Sequence, residues 1–158
     1  MDFNTGTSRE AQHLCVLVHG SASVWSRPST VLTSARLWGN PNHLEVMARC
    51  LRAKHPQEAL HILVAKRNSG NFTYDGIELG GERVCQEIEE EIEKLAKAGQ
   101  EIRRLSMVGY SLGGLVARYA IGLLHSKGVF ERIKPVVCAP LNGDECTVLI
   151  YLELHQLC

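Results

Sequence analysis

The stretch SMVGYSLGGLVARYA, residues 106–120, decides the reading of this chain. An apolar run rich in β-formers ends at Gly109, and a helix-forming run with small residues on its inner face begins just after Ser111. Between them, Gly109-Tyr110-Ser111-Leu112-Gly113 matches G-x-S-x-G. That pattern sets a serine on a tight strand-to-helix turn and lifts its hydroxyl above the sheet. The flanking glycines let strand and helix approach without side-chain clashes. The start of the helix points backbone N–H groups at the same place, so the Leu112 N–H is the first candidate donor to an oxyanion. Ser111 is the candidate nucleophile, and Gly109, Tyr110 and Gly113 shape its elbow.

Outward from this stretch, the pattern alternates between buried strands and amphipathic helices. HLCVLV (13–18), LHILVA (60–65), IRRLSMVG (102–109) and KPVVCA (134–139) read as strands. Continuous apolar strands of this kind are covered on both faces. Helices are expected over 41–55, from Glu82 to Ala98, and over 112–126. The first has Pro41 at its opening position and an apolar face of Leu44, Met47, Ala48 and Leu51. The second has Val84, Ile88, Ile92 and Leu95 on one face, with supporting pairs Glu90–Lys94 and Glu93–Lys97. The order β-α-β-α-β-α-β predicts an α/β fold, a parallel sheet with helices on both faces. The first strand ends in Val18-His19-Gly20. In such a fold His19 and Gly20 reach the same carboxyl edge as Ser111, the edge where ligands bind.

Other classes are disfavoured. The formal net charge is zero and no basic stripe is present, which argues against nucleic acid as a partner. The first residues lack a basic segment followed by an apolar one, so no secretory signal is expected and the location reads as cytoplasmic. No apolar run is long enough to span a bilayer, no His/Cys/Asp cluster has metal-ligand spacing, and no cofactor is expected. Six cysteines occur without paired spacing; Cys15, Cys50, Cys85 and Cys138 fall in apolar periodic segments and read as reduced and buried.

VHG, LWGNPNHL, NFTYDGIELGGERVCQEI and VGYSLGGLVARYAIG together resemble the DUF676 serine esterases, lipase-like α/β-hydrolases whose fungal branch includes a lipid-droplet phospholipase. The resemblance covers about 13–20 and 37–136. It implies hydrolysis of a lipid ester through an acyl-enzyme on Ser111, without a cofactor, and with peripheral contact to a membrane or lipid-droplet surface. It also makes His19 and Gly20 part of the oxyanion loop. Tyr74 and Asp75, in the TYDGI loop beside the site, are candidates for shaping the acyl pocket; a simple Asp-Gly turn explains them equally well.

Two segments depart from the family pattern. Residues 21–36 separate Gly20 from Leu37, where the family runs directly on. They read as an inserted loop, of the kind translated intron sequence would give. The second oxyanion donor is then Ser21, or Leu37 if the loop closes back. Residues 137–158 bear no resemblance to the family and read as a divergent tail on an incomplete single domain (1–158). The tail carries Asp144 and His155 in hydrolase order after Ser111, but only eleven steps apart. The run between them is strand-like, rising about 3.3 Å per residue, which holds the two side chains far apart. A crossover between two strands needs a dozen or more residues. The expectation is a nucleophile and one oxyanion donor without a base and its orienting acid, and hence weak turnover or none. The alternatives are an inactive hydrolase fragment or a binding module on the same scaffold.

Overall fold

The computed structural model describes residues 13–20, 41–56, 59–69, 72, 75–110 and 112–136, with 41–43 as backbone. The 21–36 loop, the 137–158 tail and Cys138 lie outside the described residues. Four strands, β1 (His13–Val18), β2 (Leu60–Val64), β3 (Arg104–Gly109) and β4 (Lys134–Pro135), alternate with three helices, α1 (Pro41–Lys54), α2 (Ile77–Lys97) and α3 (Leu112–Ser126). The strands form one sheet in the order β2-β1-β3-β4, and every pairing is parallel. This is the α/β architecture the pattern predicts.

The alternation along β1 builds two cores. Leu14, Val16 and Val18 face α2 and α3, packing with Val84, Ile88, Val116, Ala117 and Ala120. Cys15 and Leu17 face the other way, onto Leu44 and Ala48 of α1. The chain steps from β1 to β2 on one side, then crosses to β3 on the other. Right-handed crossovers in opposite directions place their helices on opposite faces, as observed. That reversal makes the carboxyl ends of β1 and β3 the switch point of the sheet, the edge at which ligands bind in open α/β folds.

Helix α2 starts five residues earlier than the pattern predicts. Gly76, at φ 96°, turns the chain into it, and Gly80 and Gly81 lie inside the helix. Their place is explained by α3: a Cβ on Gly81 would stand 2.5 Å from Tyr119 Cδ1, and one on Gly80 would stand 3.3 Å from Val116 Cγ2. The glycine pair lets two helices touch, where the sequence reading places it in a glycine-rich loop ahead of the helix. Other expectations change as well. Cys50 is exposed, on the outer side of α1, whereas Cys15 and Cys85 are buried. Lys97 pairs with Glu93 as expected, but Lys94 turns to Glu91 and Glu90 to Arg67. His61, on β2, is half-buried and bonded to Glu91.

Candidate active site

The end of β1, the end of β3 and the start of α3 converge at the switch point. Val18 pairs with Gly109 in the last step of the ladder. The Tyr110 N–H extends the ladder by donating to the Val18 carbonyl at 3.0 Å. The chain then folds back, with the Gly113 N–H donating to the Tyr110 carbonyl at 2.9 Å. The turn therefore closes across position 111. Ser111 itself lies outside the described residues, as do Ser21, Leu37 and Tyr74.

Close backbone approach explains the glycines. A Cβ on Gly113 would lie 2.7 Å from the His19 carbonyl carbon and closer still to the Val18 oxygen. A Cβ on Gly20 would lie 2.7 Å from the Leu112 nitrogen, and closer to that of Gly113. A Cβ on Gly109 would lie 2.5 Å from the Gly114 Cα. The His19-Gly20 segment thus rests directly on the first turn of α3, beside the Leu112 nitrogen. The structure brings His19, Gly20, Gly109, Tyr110, Leu112 and Gly113 together.

His19 is only 4% exposed, and neither ring nitrogen has a hydrogen-bond partner among the described residues. A buried polar group left unsatisfied costs about 1–3 kcal/mol. Burial pushes the imidazole below the usual histidine range, with the Glu87 carboxylate pulling weakly the other way. The ring is therefore neutral at physiological pH. Other described imidazoles are engaged or lie elsewhere. His13, at the opposite end of β1, meets Ser106 Oγ at 2.7 Å, His61 meets Glu91 at 2.9 Å, and His125 is exposed near the far end of α3.

Asp75 lies on the segment leading into α2, where it pairs with Arg83. Arg83 also donates to the Phe72 carbonyl at 3.1 Å and lies 4.9 Å from the Phe72 ring centroid. One guanidinium thus holds this segment onto α2 by three contacts. Sequence reading missed Arg83, whose partners Asp75 and Phe72 precede the helix and so leave no helical spacing to read. Glu87 and Asn68 were missed too. The Glu87 carboxylate accepts the N–H groups of Lys66 and Arg67 at 3.0 and 2.7 Å, and Asn68 donates to the Gly80 carbonyl at 2.9 Å. Both fasten the chain after β2 to α2. Phe72, Ile77, Leu79 and Leu115, on or leading into the first turns of α2 and α3, are exposed apolar residues near this edge. Among the described residues, no group of three or more His, Cys, Asp or Glu could hold a metal ion, and no helix is long and apolar enough to cross a membrane.

Comparison with known proteins agrees with this geometry. The family profile described as "Putative serine esterase (DUF676)" matches residues 8–143, running through 21–36 and past residue 136. A protein of Saccharomyces cerevisiae (strain ATCC 204508 / S288c) named "Putative lipase ROG1" is 28% identical over 147 residues, covering 87% of this chain and 18% of that protein. The chain therefore spans under a fifth of the length of that curated relative. No solved structure gives a significant match.

Proposed function

This chain belongs to the DUF676 serine esterase family, and from that premise we propose that it carries the nucleophile-bearing part of a hydrolase acting on lipid esters, a phospholipid or an acylglycerol. Ser111 attacks the ester carbonyl. The Leu112 N–H and a donor following Gly20, Ser21 or Leu37, hold the resulting oxyanion. In this reading the chain is part of a single α/β-hydrolase domain, which meets its substrate from the surface of a membrane or lipid droplet. The observation carrying this reading is the wedge of His19-Gly20 against Leu112-Gly113 at the switch point. The exposed Phe72, Ile77, Leu79 and Leu115 favour an apolar substrate over a polar one. Tyr74 and Asp75 belong to the wall of the acyl pocket, with Arg83 ordering that wall.

A second reading is a scaffold that binds without turnover. It is favoured by the imidazoles: among those whose side chains are described, only His19 stands at the carboxyl edge, and its ring is sealed from solvent. A serine hydroxyl without a base is a poor nucleophile at neutral pH. Hydrolysis of p-nitrophenyl esters of increasing chain length separates the two. Slow turnover that rises with chain length and vanishes in Ser111→Ala supports the hydrolase. Retained binding of a lipid analogue with no turnover supports the scaffold.

A further inference from the structure

We infer that His19 is an acid-sensitive latch on the site: while its ring is uncharged, the end of β1 stays wedged against the first turn of α3, and protonation of the ring drives it toward water and releases that junction. As regulation of the site, this rests on the reading of Ser111 as nucleophile; as a property of the fold, it stands alone.

Three observations carry it. His19 is only 4% exposed, and both ring nitrogens lack a hydrogen-bond partner among the described residues, so none of these offers an acceptor to a second ring N–H. The backbone here has no slack, because Gly113 packs closer to the His19 carbonyl, and the adjoining Gly20 closer to Leu112 and Gly113, than any side chain allows. The neighbouring helix presents its N-terminal, partially positive end at this contact, which disfavours a cation there. Protonated, the ring reaches water only by displacing the end of β1, and that displacement is passed to Leu112 and Gly113.

Among the described residues, charges around the ring do not rescue the cation. Glu87 on α2 is the charge that acts on it, but that carboxylate is held by the N–H groups of Lys66 and Arg67. The Arg67 side chain turns to Glu90, and Arg83 to Asp75. Lys66, after β2, and Arg118, on α3, are exposed, and Tyr110 follows β3. In the unfolded chain the ring titrates near the ordinary histidine value of about 6.5. In the fold it holds its proton less tightly. Between the two values the unfolded state binds a proton that the native state does not, so stability falls as pH drops below about 6.5 and is unaffected above.

The test is urea unfolding of the full chain from pH 8 to pH 5, with amide hydrogen exchange at Gly113 and Gly114 and an NMR titration of the His19 ring. The unfolding constant is expected to rise by up to about tenfold per pH unit below 6.5 in the wild type. That His19-dependent part is expected to disappear in both His19→Leu and His19→Asn, which carry no titrating ring. Protection factors at Gly113 and Gly114 are expected to fall as the ring protonates. An unchanged slope in a folded variant, or a ring that titrates near 6.5 without disturbing Gly113, overturns the latch. Phosphonylation of Ser111 by a fluorophosphonate, scored in parallel, separates the two ideas. A His19-dependent slope without labelling keeps the latch and removes the hydrolase reading; labelling with an unaltered slope does the reverse.

Discussion

Gly113→Ala and Gly122→Ala add the same methyl group to the same helix, and the structure predicts opposite outcomes. At Gly122 a Cβ would meet nothing within 4 Å. Alanine there gains helix propensity and should stabilise by about 0.5–1 kcal/mol. At Gly113 the new carbon would sit 2.7 Å from the His19 carbonyl carbon, where ordinary contact begins at 3.4 Å. The Val18 oxygen is closer still, so the start of α3 and the end of β1 must separate by more than about 0.7 Å, and neither neighbour is a side chain that can swing away. Overpacking of this kind costs about 1–3 kcal/mol, and backbone on a central strand puts it at the upper end. Because the propensity gain largely cancels, the difference between the variants isolates that packing term. For a chain of this size, 2–3 kcal/mol separates the melting temperatures by roughly 4–12 °C. Urea and thermal unfolding followed by far-UV circular dichroism measure it. Equal stabilities would refute the claim that β1 and α3 meet through bare backbone.

Gly81→Ala should cost about 1–2 kcal/mol because Tyr119 must move, and most of that should return in a Tyr119→Ala background; additive single effects would mean α2 and α3 do not touch there. Arg83→Ala should lower global stability by under about 1 kcal/mol, since its contacts are partly exposed, yet should accelerate chymotryptic cleavage after Phe72. Unchanged cleavage would remove Arg83 as the clamp on that segment. Gly20→Ala should slow fluorophosphonate labelling of Ser111 more than it lowers stability, because the new methyl falls on the Leu112 nitrogen; equal labelling rates would detach Gly20 from the oxyanion site.

Much of this architecture was legible because burial leaves a periodic trace. β1 and α3 match their sequence readings residue for residue, and the faces of α1 and α2 are populated by the apolar residues the spacing selects. What escaped is set by contacts between distant segments. Gly80-Gly81 reads locally as the end of a glycine-rich loop, and only the approach of Tyr119 shows why a helix runs through it. Cys50 falls in an apolar pattern yet faces outward, since a small side chain at the margin of a helix face commits weakly to either side. That the ends of β1 and β3 share one carboxyl edge was legible from the alternation of strands and helices; the strand order that makes them neighbours at the switch point was not. The sealed state of His19 was not, because a histidine at a strand end looks the same whether its ring meets solvent or core.

The most direct test is the identity of the residue that reacts. The folded chain, treated with a fluorophosphonate and examined by intact mass and peptide mapping, should gain one adduct, formed slowly, on Ser111, and none in Ser111→Ala. A folded chain that stays unmodified, or that carries the adduct on another residue, contradicts the account.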